Sequence, residues 1–262
     1  MVAKTSPIAL TFLGTRGEIK IRSRQHRRHS ALLVRDSDVR LMIDCGADWR
    51  GRLTGVAPTA ILLTHAHADH AAGLAEGAPC PVYASEETFN LLRHYPIRDR
   101  RRIMPRRPVA IGGVRFEAFP VEHSIRAPAV GYRVSAGQFS FLYLPDVADL
   151  PNAAAALRGV DLYIGDGATV SRSMVRKQNG RPIGHAPIAQ QLAWCRKQGV
   201  RSAIFTHCGS PIVRGDPRTI AAAVRQLGLA HGVQADVAHD GLTLPIGVKP
   251  RSRGNCLRSA LP

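Results

Sequence analysis

The residues of this chain best suited to chemistry lie in one short motif, in which three histidines and an aspartate occur within six consecutive positions. The motif is His65-Ala66-His67-Ala68-Asp69-His70, and it follows the apolar segment 60–63, which predicts a buried strand. Imidazole nitrogens and a carboxylate oxygen suit zinc and neighbouring divalent ions. A solvated loop that carries histidines is the alternative, but four such side chains so close together favour a metal site.

Three more ligand-type residues, His123, Asp146 and His207, each stand just past the end of a predicted strand. Strand ends on one edge of a layered sheet form a shared rim, so residues far apart in sequence can converge there. The alternative for the two histidines is a hydrogen-bonded place in the core, and for Asp146 it is a turn after Pro145. The repeated pattern favours ligation and predicts a two-metal site on one rim.

Four further polar residues are candidates for supporting roles around such a site. A glycine-rich loop carries His185, an imidazole that could donate a proton to a leaving oxygen. A loop-forming or helix-capping role is the alternative for His185, and Asp166 is open between a substrate contact and a turn. We interpret Asp44 and Asp240 as acceptors for the N–H groups of metal ligands, or as turn formers before glycine.

The length and the patterning of the chain favour one domain that contains this rim. No low-complexity linker divides the 262 residues, and short strand patterns alternate with helical ones, which predicts helices on the outer faces of stacked sheets. We predict a domain over residues 1–248 and a disordered basic tail over 249–262. Five dispersed cysteines argue against a disulfide framework. No apolar run is long enough to cross a bilayer and the N-terminus has no signal-peptide core, so we expect a cytoplasmic protein.

The charge of the chain indicates an anionic partner. A net charge of +17 raises the local concentration of anions and favours a phosphorylated substrate. Arginines are concentrated in segments 16–28 and 98–107. Solvated charges in an arginine-biased composition are the alternative for both segments, but we favour a function for 16–28 because it starts near the metal half of the chain. Few aromatic residues are interleaved with these arginines, which argues against specific RNA recognition by base stacking.

The order and spacing of the ligand-type residues resemble those of the metallo-β-lactamase superfamily. The similarity rests on His-x-His-x-Asp-His at 65–70, His123, Asp146 and Thr206-His207, and it extends from Ile8 to about Leu244. It implies an α/β (α+β) fold, the four-layer αββα metallo-β-lactamase sandwich. The segments 12–15 and 184–187 are most similar to the branch of tRNase Z and the phosphoribosyl cyclic phosphate phosphodiesterases.

The same resemblance implies two divalent metal ions, with zinc expected before manganese or iron(II). One ion would be bound by His65, His67 and His123, the other by Asp69, His70 and His207, and both by Asp146. The reaction would use a hydroxide shared by the two ions, which Asp69 would orient or from which it would accept a proton. His185 would donate a proton to the leaving oxygen.

The resemblance therefore implies a metal-dependent hydrolase that cleaves a phosphodiester in a nucleotide, a cyclic phosphate or RNA. A thioester or lactone hydrolase of the same fold is the first alternative. A non-catalytic carrier or nucleic-acid-binding member is the second, although a complete ligand set argues against it. The expected partners are an anionic substrate, nucleic acid or a second copy of the chain, and not a membrane. The sequence lacks the cysteine-rich zinc knuckle of the cyclic phosphate phosphodiesterases and a clear glycine-rich arm like that of tRNase Z.

Overall fold

The computed structural model describes residues 8–246, so the predicted tail 249–262 lies outside the described residues. The strands within this range are, in chain order, β1 (Ile8–Gly14), β2 (Ala31–Asp36), β3 (Val39–Ile43), β4 (Ala60–Leu62), β5 (Val82–Ala84), β6 (Arg100–Arg102), β7 (Val109–Ile111), β8 (Val114–Val121), β9 (Ala129–Ala136), β10 (Phe139–Tyr143), β11 (Leu162–Asp166), β12 (Arg176–Gln178), β13 (Arg181–Ile183), β14 (Ser202–Thr206), β15 (Gln234–Val237) and β16 (Thr243–Ile246). The helices are α1 (Leu53–Val56), α2 (Ala68–Ala71), α3 (Glu86–Leu91), α4 (Ala153–Ala156), α5 (Ile188–Gln198), α6 (Ser210–Arg214) and α7 (Pro217–Ala230).

Two seven-stranded sheets make up the centre of the fold. The strand order is β16-β1-β2-β3-β4-β5-β6 in the first sheet and β15-β14-β11-β10-β9-β8-β7 in the second, while β12 and β13 form a separate hairpin. In the first sheet β3, β4 and β5 run parallel, and in the second β10, β11, β14 and β15 do so. The carboxyl ends of these parallel strands therefore lie along one edge of each sheet.

Three apolar cores separate four layers. The first core lies between the sheets, where Phe12 and Ile43 from one meet Phe116 and Phe141 from the other. A second core joins the first sheet to the α1, α2 and α3 side, and a third joins the second sheet to α4, α5, α6 and α7. A sheet with two apolar faces must be covered on both, which places the helices outside. The predicted αββα sandwich is confirmed.

Several elements differ from the sequence-based expectation. The arginine segment 98–107 contains the edge strand β6, whose three side chains are all exposed, so no apolar alternation marks it. The loop expected before His185 contains the β12–β13 hairpin. Its turn is Asn179-Gly180 with both φ angles positive, the two-residue signal of a hairpin that the weak apolar pattern around it concealed.

Candidate metal centre

The first group of donors consists of His65, His67 and His123, and it forms where β4 and β8 end. His65 and His67 follow β4 in an extended turn that leads into α2, so that alternate side chains reach the same point. His65 Nε2 lies 2.9 Å from His67 Nδ1, which lies 3.4 Å from His123 Nε2. The three nitrogens therefore surround a common position, as expected for ligands of one metal ion.

The second group consists of Asp69, His70, Asp146 and His207, and all four side chains are buried. Asp69 and His70 are presented by α2, Asp146 follows β10, and His207 follows β14. Asp69 Oδ2 lies 3.0 Å from His207 Nε2 and 3.4 Å from His70 Nε2. The elements of both sheets are therefore needed to assemble this group.

Asp146 stands between the two groups. Its Oδ2 atom lies 2.6 Å from His70 Nε2 and 3.6 Å from His65 Nε2, one nitrogen from each group. This is the position that a carboxylate shared by two metal ions must take. All seven residues proposed from sequence as metal ligands thus converge on one rim.

The buried charges of the rim fit divalent cations. Asp44, Asp69, Asp146 and Asp166 are each 4% exposed or less, and within residues 8–246 none forms an ion pair with lysine or arginine. Burying carboxylates costs several kcal/mol each unless a positive charge compensates. In addition, His70 Nε2, Asp146 Oδ1 and His207 Nδ1 are buried without a hydrogen bond. Possible ligand atoms that lie close together without hydrogen bonds, among four buried carboxylates, are expected where a metal ion binds.

The protonation equilibria of the histidines separate the two groups. Burial, together with the positive charge of neighbouring His70, holds the pKa of His65 well below its ordinary value, and burial also lowers the pKa of His67 and His123. These imidazoles are therefore neutral, as ligation requires. Burial alone would lower the pKa of His207, but Asp146, Asp166 and Asp69 together outweigh it and raise the pKa to about 9. A cation bound at the second group would replace the protons that these carboxylates stabilise on His70 and His207.

The Asp44 carboxylate fixes the orientation of the His70 ring. The Asp44 carboxylate is fully buried after β3, and its Oδ2 lies 2.9 Å from His70 Nδ1. Its Oδ1 accepts hydrogen bonds from the backbone N–H and the hydroxyl of Thr64. His70 Nε2 is thereby directed towards the second group. Asp44 thus contacts one of the residues expected to bind metal, as interpreted from sequence. Asp240 lies in a turn before Gly241, the other interpretation, and accepts from Thr15 and the backbone of Arg27 and Arg28.

Two residues of the rim have strained backbones that no sequence pattern reveals. Asp44 and His207 adopt left-handed conformations with φ of 62° and 53°. Such angles cost non-glycine residues about 1–3 kcal/mol and persist only where the surroundings enforce them. Both residues directly follow a strand, so the sharp turn re-aims each side chain into the rim.

Gly46 allows the chain after β3 to contact the metal-binding motif. A side chain at this position would overlap the backbone carbonyl of Asp69, although the φ angle of −65° is ordinary. We expect Gly46→Ala to lower the free energy of unfolding by about 3 kcal/mol through overpacking. Gly55→Ala is the matched control, because nothing lies within 4 Å of an added Cβ there, and a gain of about 0.5 kcal/mol is expected. Urea unfolding measures both, and equal stability of the two variants would contradict the contact.

His185 is held against the rim by Asp166. His185 Nδ1 lies 2.8 Å from Asp166 Oδ2 and 3.2 Å from Asp146 Oδ1, which leaves Nε2 available to a molecule in the adjoining pocket. Asp166 is itself fixed by the backbone N–H groups of Val147 and Ala168. Burial alone would lower the pKa of His185, but Asp166 and Asp146 outweigh it and raise the pKa to about 11. His185 is therefore protonated in this arrangement, and its partner is Asp166, which the sequence left open between a substrate contact and a turn.

A pocket of about 470 Å³ opens over both groups of donors. Its walls include Gly17, Glu18 and Ile19 from the first basic loop and Met174 from the segment before the β12–β13 hairpin. No sequence pattern predicted that Met174 lines the pocket. The one available signal was its position eleven residues before His185. Segment 16–28 therefore borders the site, as favoured from its position in the sequence.

A buried arginine holds that first loop in place. Arg16 is 2% exposed, and its guanidinium contacts Asp48 at 2.6 Å, His29 Nε2 at 2.9 Å and the carbonyl of Ile19. Since Ile19 lines the pocket, the buried ion pair fixes part of the pocket wall. The other lysine and arginine side chains of segment 16–28 are exposed, and one of them, Arg22, also forms an ion pair with Asp48.

Segment 98–107 has a different environment and no residue in the pocket. Arg101 pairs with Asp99, Arg102 with Glu86 and Arg106 with Glu117. Arg100, Arg101 and Arg106 also stack on aromatic rings. Much of this positive charge is therefore compensated locally and stabilises the edge of the sheets.

The fold and the donor geometry define a protein of the metallo-β-lactamase type. The family model described as the beta-lactamase superfamily domain matches residues 39–208, and the chain belongs to this superfamily. Ribonuclease Z of Methanopyrus kandleri is 29% identical to it, over 91% of this chain and 98% of that protein. The chain is a hydrolase of the metallo-β-lactamase fold, and its histidine and aspartate clusters indicate divalent metal ions.

Solved structures confirm the fold. The metallo-beta-lactamase fold protein YhfI from Bacillus subtilis has a TM-score of 0.72 at 16% identity and covers 90% of this chain and 98% of its own. A diphosphatase from the PhnP family has a TM-score of 0.67 at 23% identity and covers 90% of this chain and 97% of its own. Among residues 8–246, no helix combines the length and the apolar character that crossing a membrane demands.

Proposed function

We propose that this chain is a phosphodiesterase that depends on two divalent metal ions. The observation that carries the proposal is the convergence of seven donor residues on one rim, where five of them and the Asp166-held His185 line the pocket. The similarity to a ribonuclease Z over nearly the whole chain supports the phosphodiester as the bond that is cleaved.

The donor set favours zinc. Five imidazoles and two carboxylates supply borderline nitrogen and hard oxygen ligands, with manganese or iron(II) as alternatives. His65, His67 and His123 would hold one ion, Asp69, His70 and His207 the other, and Asp146 both. When bound, two such ions stabilise negative charge that develops on a phosphoryl group and lower the pKa of water.

The side chains of this protein would supply orientation and proton transfer. Asp69 is buried and directed into the pocket, where its carboxylate can orient an attacking water or accept its proton. His185 can donate a proton from Nε2 to the leaving oxygen, since Asp166 holds Nδ1 on the opposite side of the ring. Proton acceptor and proton donor thus face the same pocket from different elements.

The first basic loop would favour an anionic substrate. Lys20 directly follows the pocket-lining residues 17–19, and Arg24 comes four residues later. Both are exposed and have no carboxylate partner within the part of the chain that the structure describes. Cations at a pocket entrance raise the local concentration of phosphorylated molecules. The only acidic side chain of this wall, Glu18, is 70% exposed and so is screened by solvent.

Hydrolysis of bis(p-nitrophenyl) phosphate tests the proposal. We expect the protein loaded with zinc or manganese to release p-nitrophenolate, a chelator to stop the reaction, and restored metal to restart it. His65→Ala should lose most of this turnover because it removes a ligand of the first group. Equal rates of the wild type and His65→Ala would refute the proposal. Hydrolysis of thioesters or lactones without hydrolysis of the phosphodiester would indicate instead a thioester or lactone hydrolase of the same fold.

A further inference from the structure

The β12–β13 hairpin is a basic arm at the rim of the pocket. It lies in a stretch, residues 167–215, that contains no aspartate or glutamate. Arg172, Arg176 and Lys177 are exposed, and none of them has a carboxylate partner within residues 8–246. This differs from segment 98–107, where acidic neighbours compensate the arginines.

The base of the hairpin is bonded to the residues of the site. The backbone N–H of Gly184 donates to the carbonyl of His123, and the N–H of Met174 donates to the carbonyl of His185. On the outer side, Arg181 forms two hydrogen bonds with Glu122, at 3.0 and 3.1 Å. A two-stranded hairpin is marginally stable alone, so these contacts determine its position beside the pocket.

The cations of the arm extend beyond the space for a single phosphate group. Met174 lines the pocket, and Lys177 lies three residues further along, which is about 10 Å in an extended chain. Phosphates of one nucleic-acid strand follow one another at roughly 3.4 Å of axial rise, so an arm of this length passes two or three of them. A mononucleotide bound at the donor groups has no phosphate left for this arm, whereas a polymer does.

We propose that the β12–β13 hairpin binds the phosphates next to the scissile one, and that the substrate is therefore a single-stranded polynucleotide. This inference rests on the proposed function for the site and adds the class of substrate. A second copy of the chain is a poor occupant of the same surface, because pairing two arms without any carboxylate brings like charges together. The exposed side chain of Met174, 48% accessible between pocket and arm, offers an apolar contact for a base.

Binding to labelled oligonucleotides tests the arm separately from catalysis. The full chain, with chelator present to prevent cleavage, is titrated into single-stranded RNA and DNA of one sequence and followed by fluorescence anisotropy. Each phosphate contact contributes about 0.7 to the slope of log affinity against log salt for single strands. The double variant Arg176→Gln/Lys177→Gln should therefore lower this slope by about 1.4, so that wild type loses roughly seven-fold more affinity than the variant between about 50 and 200 mM salt.

The matched control is Arg196→Gln/Lys197→Gln, which removes the same charge from the surface of α5. Arg196 and Lys197 are exposed and lie about 12 Å along α5 from its first residue, Ile188. Ile188 is the third residue after His185 in the chain. The control should bind like wild type. Equal losses in both double variants would overturn the proposal, since only net charge would then matter, and so would a wild-type chain that binds neither RNA nor DNA.

Turnover separates this inference from the proposed function. For the metal-loaded protein, the ratio of kcat/KM on RNA to kcat/KM on bis(p-nitrophenyl) phosphate should fall in the arm variant and stay constant in the control. A constant ratio in both would overturn the arm as a substrate contact. If wild type cleaves neither compound, the phosphodiesterase itself fails, whereas cleavage of the small diester without RNA binding rejects only the arm. Comparing the RNA and DNA titrations distinguishes the two polynucleotides.

Discussion

Asp146→Asn is expected to lower kcat/KM for bis(p-nitrophenyl) phosphate about 10³-fold and to reduce the bound metal from two ions per chain to one or fewer. Asp146 is the carboxylate that lies between both groups of donors, 2.6 Å from His70 Nε2 and 3.6 Å from His65 Nε2. The asparagine side chain has nearly the same shape as the aspartate side chain but carries no negative charge. Metal ions contribute several kcal/mol to stabilising a phosphoryl transition state, and about 4 kcal/mol corresponds to 10³-fold in rate.

Metal analysis and steady-state kinetics on the same preparations check this result. Asp38→Asn is the matched control, because it makes the same chemical change in an exposed turn and should alter neither quantity. Both proteins should keep a cooperative thermal transition, since the substitution preserves volume in the core. Two ions per chain and wild-type turnover in Asp146→Asn would show that this carboxylate is not shared by the metals.

His185→Gln is expected to lower kcat for a dinucleotide by about 10²–10⁴-fold, the usual contribution of a positioned proton donor. The effect on bis(p-nitrophenyl) phosphate should be far smaller. A nitrophenolate leaves without a proton, whereas a ribose oxygen needs one, which Asp166-held His185 is placed to supply. Substrates with leaving groups of different basicity therefore report the role of this side chain.

Metal content and an exposed histidine serve as controls for this experiment. The variant should still bind two metal ions, because the proposed ligand set does not include His185. His94→Gln, on the surface after α3, should leave both substrates unaffected. Equal losses on the two substrates would contradict proton donation and indicate instead that His185 binds the phosphate.

The sequence predicted those parts of the molecule that depend on local patterns. Strand β4 followed by the motif 65–70 was visible because a short apolar run ends in four ligand-type side chains, and the αββα fold was implied by the resemblance to the metallo-β-lactamase superfamily. By contrast, β6 and the β12–β13 hairpin carry exposed basic side chains and no apolar alternation, so the only local sequence signal for either was the Asn179-Gly180 turn of the hairpin.

The sequence by itself thus determined which side chains are available for a metal site and in which order they follow their strands. Only the tertiary structure decided that Asp146 stands between two groups of histidines, that Asp166 holds His185, and that a basic arm borders the pocket. The reason is physical: composition and periodicity report burial along one chain segment. Distances between segments depend instead on how two twisted sheets pack, and that packing is set by long-range contacts that no local pattern contains.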